Sequence, residues 1–144
     1  MFSKACEYGI RATVQIALQS EKGLRIGLKE ISNAIDSPEP FTAKILQQLA
    51  KNDIIISSKG PTGGYEMSSN QLSTIMLSDI VKTLDCDLIY TGCGLGLATC
   101  DAKNPCVLHF QFDDIREQLK KMLENTSIQQ LARSRESGDT LLRL

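Results

Sequence analysis

No run of apolar residues in this chain approaches the ~20 that a helix needs to cross a bilayer, and the N-terminus lacks the apolar core of a secretory signal. Together these absences point to a cytoplasmic protein with no membrane partner, in a compartment where thiols stay reduced. Excess charge is missing too. Sixteen Lys and Arg face seventeen Asp and Glu, a net charge of −1, so any nucleic-acid role has to rest on motifs rather than on a basic footprint. Histidine is scarcer still, since His109 is the only one. A Ser/His/Asp or Cys/His catalytic group would have to use it. The neighbouring Cys106 has the residue type for such a pair, but no oxyanion site or substrate pocket accompanies it. The chain is therefore not expected to be an enzyme. Five cysteines, an odd number, argue against a closed disulfide framework. A chain of 144 residues does not need one, since it can bury roughly 70% of its unfolded surface.

What is present is organised. Residues 3–20 read as a helix with two apolar stripes, Ile10, Val14, Ala17 and Leu18 on one and Tyr8, Ala12 and Ile16 on the other. Two stripes predict a helix packed on more than one side. Leu28, Ile31 and Ile35 mark a short second helix, closed by Asp36-Ser37-Pro38-Glu39-Pro40. Pro40 suits the first turn of a third helix. There Phe41, Ile45, Leu46 and Leu49 are expected inside, and Thr42, Lys44, Gln47, Gln48 and Lys51 outside. Two β-like runs follow, Ile54–Ser57 and Tyr65–Ser68, joined by a Gly- and Pro-rich turn. Helix, short helix, breaker, helix and hairpin in this order form a winged helix-turn-helix pattern.

A further helix is expected from Ser78 to Asp85, and a long amphipathic one carries Phe112, Ile115, Leu119 and Met122 or Leu123 as far as Asn125. Its narrow apolar stripe predicts pairing with a second copy, the alternative being that it packs back on the first helix. Thr126-Ser127 with Gln129-Gln130 supplies a capping box for a last short helix. The expected fold is mostly α with a small β-hairpin wing. Residues 1–77 form the winged helix-turn-helix DNA-binding domain, 78–133 the loop and dimerisation helix, and 134–144 a flexible polar tail.

Between those last helices lie Cys93, Cys100, Cys106 and His109, within seventeen residues. Thiolates and imidazole are metal ligands, and the surrounding Gly92, Gly94, Gly96 and Asn104-Pro105 can build neither helix nor strand. Such a loop needs something other than an apolar core to hold its shape, and a metal or cluster would serve. Zinc prefers tighter pairs, and only Cys106 and His109 have that spacing. Cys6 and Cys86 sit on apolar-patterned helices or their ends and read as buried or bystander thiols.

Tyr8-Gly9-Ile10-Arg11-Ala12, Phe41 to Leu49, the wing Ser58-Lys59-Gly60-Pro61-Thr62-Gly63-Gly64-Tyr65, Leu77 to Leu84, the cysteine loop and Asn125 to Leu131 together resemble the IscR/NsrR/CymR-type family of winged-helix transcription regulators. The wing is the most specific of these stretches, and the resemblance runs from residue 1 to about 133. It implies a homodimer that binds double-stranded operator DNA, with an iron–sulfur cluster in the cysteine loop. The chain departs from the family's pattern at Lys59, where Arg is common, at Ala43, where one member type has an acidic base-reading residue, and at Thr62, a frequent Gly. Its first cysteine gap is also one residue longer than usual.

On the winged-helix pattern the third helix would lie in the major groove. Thr42 and Gln48 are then candidates to reach bases, Lys44 to anchor phosphate, and Lys59 to enter the minor groove from the wing. Cys93, Cys100 and Cys106 are the expected cluster ligands, holding a 2Fe–2S core rather than 4Fe–4S. His109 as fourth ligand would remove a unit of negative charge and raise the potential. Glu7 is the alternative, matching a position from which some family members donate a carboxylate across the dimer. On its own helix Glu7 would pair with Arg11, four residues on. The competing function is a cluster-free regulator of the same fold that acts through a protein partner or thiol oxidation.

Overall fold

The computed structural model of the chain describes residues 2–85, 88–97 and 101–136. The first helix, α1 (Lys4–Glu21), is capped by Ser3, whose hydroxyl accepts the Cys6 N–H. Cys6, Ala12, Val14, Ile16 and Ala17 on it are fully buried, so α1 is enclosed on several sides, as its two stripes predict. α2 (Leu28–Ile35) starts where the Glu30 carboxylate accepts the Gly27 N–H, and ends at Asp36, whose φ of 51° is left-handed. α3 (Glu39–Lys51) follows with Pro40 in its first turn. α1, α2 and α3 pack on one another and α5 (Leu77–Asp85) closes the group, with Leu84 set against Gly9 so tightly that a Cβ there would lie 2.2 Å from it.

The wing is an antiparallel pair, β1 (Ile56–Ser58) and β2 (Gly64–Glu66), with Ile56 opposite Glu66, Ser57 opposite Tyr65 and Ser58 opposite Gly64. Both strands are displaced from the expected runs, for two different reasons. Ile54 and Ile55 are spent on the core, at 4% and 2% exposure. At the other end Ser68 caps α4 (Ser69–Thr74), exchanging hydrogen bonds with Gln71 in a capping box. Tyr65 also exchanges backbone hydrogen bonds with Ile26, which ties the wing to the linker between α1 and α2. This is a winged-helix fold, mostly helical with one two-stranded hairpin.

Beyond α5 come the short α6 (Leu88–Thr91), the cysteine loop, α7 (His109–Glu124) and α8 (Ile128–Glu136). The capping box at Ser127 and Gln130 is present in both directions. α8, not α7, packs along α1, burying Ile128 and Ala132 completely. α7 leans on α5 and α6 and buries only Leu123, leaving Phe110, Ile115 and Met122 at 63%, 55% and 52% exposure. Residues 134–136, expected in the tail, continue α8, and 137–144 lie outside the described residues. No helix among the described residues is long and apolar enough to cross a membrane.

Candidate functional site

Two regions carry the residues singled out from sequence. The first is the surface shared by α3 and the wing. Lys44, Gln47 and Lys51 of α3 and Ser57 and Lys59 of the hairpin line one open groove, with Tyr65 at its wall. Lys44 and Lys59 thus line the same groove. Gln48 is exposed but does not line the groove, while Gln47 does.

Thr42 departs from expectation. It is fully buried, its hydroxyl donating to the Pro38 carbonyl at 3.1 Å and sharing a hydrogen bond with Ser37 Oγ at 2.9 Å. The side chain satisfies its polarity within the turn before the helix and presents nothing to a base. Phe41, expected inside, is instead 37% exposed and stands edge-on to Tyr8, with ring centroids 5.8 Å apart. The signal was available in the spacing, since Thr42, Ile45, Leu46 and Leu49 follow i, i+3, i+4, i+7 from Thr42 and not from Phe41.

The wing is aimed by Arg25, a residue that pattern reading passed over. Its guanidinium makes a bidentate pair with Glu66, Nε to Oε2 at 3.0 Å and Nη2 to Oε1 at 3.1 Å, and Nη1 donates to the Thr62 carbonyl. Gly64, at φ 132°, lets the strand lie against this linker, where a Cβ would come 2.9 Å from the Ile26 carbonyl oxygen.

The second region is the cysteine loop. Cys93 and Cys106 are both half-buried, and Cys100 lies outside the described residues. The Gly96 N–H closes a turn on the Cys93 carbonyl at 2.9 Å, helped by a φ of 71° at Gly96. At the far end the His109 N–H bonds the Cys106 carbonyl at 3.0 Å, which places His109 in the first turn of α7, one turn earlier than the periodicity suggested. Among the described residues no group of three or more Cys, His, Asp or Glu side chains is gathered closely enough to hold a metal ion. The donor chemistry of the loop, two half-buried thiols and an imidazole on the following helix, suits an iron–sulfur cluster or zinc.

The remaining candidates separate clearly. Glu7 pairs with Lys4 at 2.6 Å rather than with Arg11, and that ammonium holds its carboxyl below the usual range. Cys6 is fully buried, and burial first, then the nearby Asp85 carboxylate, pushes its thiol up to about 12. A thiol that keeps its proton is neither a ready nucleophile nor a ready ligand. Asp85 is engaged from a second side, accepting from the backbone and hydroxyl of Ser3. Cys86 lies outside the described residues.

Comparison with known proteins agrees with this layout. Residues 2–134 match the Rrf2 family, described as iron-dependent transcriptional regulators. The regulator IscR of Klebsiella pneumoniae (strain 342) is 27% identical over 132 residues, covering 92% of this chain and 79% of that one. Among solved structures, CymR, the global cysteine regulator of B. subtilis, superposes with a TM-score of 0.75 at 20% identity, over 92% of this chain and 96% of that one. T. potens IscR gives 0.73 at 18% identity, over 97% and 91%.

Proposed function

Because the chain belongs to the Rrf2 family of transcriptional regulators, we propose that it binds operator DNA as a homodimer and senses iron–sulfur, redox or nitric-oxide status through a cluster held by Cys93, Cys100 and Cys106. The groove between α3 and the wing carries the DNA half of this proposal. It sets Lys44, Lys51 and Lys59 around one concavity on a chain whose net charge is only −1. Three cations from two elements in one place are what a phosphate backbone requires, and α3 is the element that enters the major groove in this fold. Lys44 and Lys51 anchor phosphates, Gln47 and Gln48 face bases or backbone, and Lys59 reaches the minor groove. The two reading helices of a dimer demand an inverted repeat with half-sites about one helical turn, or a multiple, apart.

The exposed edge of α7 supports the dimer, since Ile115 and Met122 stand in water beside the face of Phe112, Leu119 and Leu123 that packs on its own subunit. In the loop, a bound iron–sulfur cluster, 2Fe–2S in this proposal, supplies a centre whose potential depends on its ligands. His109 is the fourth ligand and Glu7 the alternative. Binding at the loop orders residues between α6 and α7 and shifts the seam helix, giving a coupling of roughly 5- to 150-fold in operator affinity.

Anaerobic purification followed by visible spectroscopy and operator titration tests both halves. Brown protein that loses its colour when Cys93, Cys100 or Cys106 becomes Ser, and binds its operator differently with and without the cluster, is the expected result. His109→Ala should shift the spectrum, and an effect of Glu7→Gln instead would move the fourth ligand to Glu7. Colourless protein that binds the operator normally would make this a cluster-free regulator acting through a protein partner or thiol oxidation. Stoichiometric zinc would make the loop a structural metal site.

A further inference from the structure

The turn that carries Cys93 is gripped on both sides by one face of α7. Before the cysteine, the Gly92 carbonyl accepts a hydrogen bond from Arg116 Nη1 at 2.9 Å. After it, a Cβ built on Gly94 would come within 2.5 Å of Phe112 Cδ1 and Cε1, so the backbone at 94 rests directly on that ring and a larger residue would push it away. Phe112 and Arg116 are four residues apart and therefore neighbours on the helix surface. The Arg116 side chain is only 15% exposed, and its Nη2 is steadied by Asp113 at 3.1 Å. A charge-assisted bond shielded from water in this way is among the stronger contacts a loop can make. Cys93 also lines the same groove as Ile115 and Leu119 of the apolar stripe.

We infer that Arg116 and Phe112 are positioning residues that fasten the Cys93 turn to α7, so that Cys93 and the seam of the helix move as one body. This deepens the function proposed above and takes its regulatory meaning from it. In a dimer joined along that stripe, a disturbance at Cys93 reaches the partner through two side chains rather than through the length of the loop. The clamp itself requires neither cluster nor dimer.

The test uses reduced, metal-free, full-length protein alkylated with iodoacetamide across a range of pH, each cysteine being read from its own peptide. The plateau rate reports access to the sulfur and the inflection reports its pKa, which separates loss of the Arg116 charge from loss of its grip. Arg116→Gln is expected to raise the plateau at Cys93 by roughly tenfold, the scale of one lost charged hydrogen bond, and to leave Cys106 unchanged. Gly94→Ala should raise it as well, and adding Phe112→Leu should bring the rate back, since that ring is what the new methyl meets. An unchanged plateau at Cys93 in Arg116→Gln overturns the inference, as do equal rises at Cys93 and Cys106. So does a Gly94→Ala effect that Phe112→Leu fails to relieve. The expected pattern in a protein that proves colourless or monomeric would uphold the clamp and count against the proposed function instead.

Discussion

A buried thiol beside a carboxylate has one comfortable protonation state, and Cys6 shows what that does to stability. Burial and Asp85 raise it from the ordinary 9.0 to about 12, so the folded chain keeps a proton that the unfolded chain releases above pH 9.0. Stability is therefore unaffected by Cys6 below that pH and falls as pH rises from there toward 12. Urea midpoints of wild type and Cys6→Ala should run parallel up to pH 9 and converge or cross above it; a constant difference would show that Cys6 does not titrate differently on unfolding. Thr42 gives a second prediction. Thr42→Val should cost about 1 kcal/mol of stability, from the lost bond to Pro38, and leave operator preference unchanged; a changed preference in a footprint would put Thr42 back at the DNA. Residue type alone singles out Cys93, Cys106, Lys44 and Lys59 as candidates, because thiols in a Gly-rich loop and cations at a helix and wing surface suit ligands and phosphate contacts. Thr42 could not, since a hydroxyl bonded to its own preceding turn and one bonded to water are the same letter.

Elements were legible in proportion to their length. α1, α2, α3, α5 and α7 each carry enough apolar repeats to be seen in the sequence, and α8 shows itself by its capping box. The six-residue α4 and four-residue α6 are too short to show a period. The hairpin's strands slid because Ile54 and Ile55 look like strand residues whether they pair or fill the core. Nor could pattern reveal Arg25, a linker residue whose role appears only once Glu66 and Thr62 fold back beside it. With both partners partly exposed, Arg25→Ala should change stability little. Its larger effect should be on the wing, weakening operator binding while α3 amide resonances stay in place; movement of α3 resonances would mean that Arg25 supports the whole head. If α7 joins two copies along its exposed edge, Ile115→Lys, which places a charge there, should yield a monomer by sedimentation with helicity unchanged. A dimer that survives this change would place the interface elsewhere.

At the scale of the molecule, a net charge of −1 means that DNA affinity comes from placement and not from bulk attraction. If Lys44 and Lys51 of both subunits each neutralise a phosphate, log affinity against log salt should slope at roughly −4. Replacing Lys44 with Ala in both subunits should flatten that by about 2, and an unchanged slope would leave Lys44 off the phosphates. The core does not respect the division of labour along the chain. Ile128 and Ala132 of α8 are fully buried, and α8 packs on α1, with Gln129 and Arg133 both reaching the Glu21 carboxylate at 3.1 Å. The DNA-reading head is thus finished by a segment more than a hundred residues downstream of its first helix. During synthesis, the head would wait on the ribosome with one side of α1 open until α8 emerges, long after the wing has left the tunnel. By then the cysteine loop has emerged too. A nascent or prematurely terminated chain, lacking α8 against α1, therefore would have no completed head with which to occupy an operator.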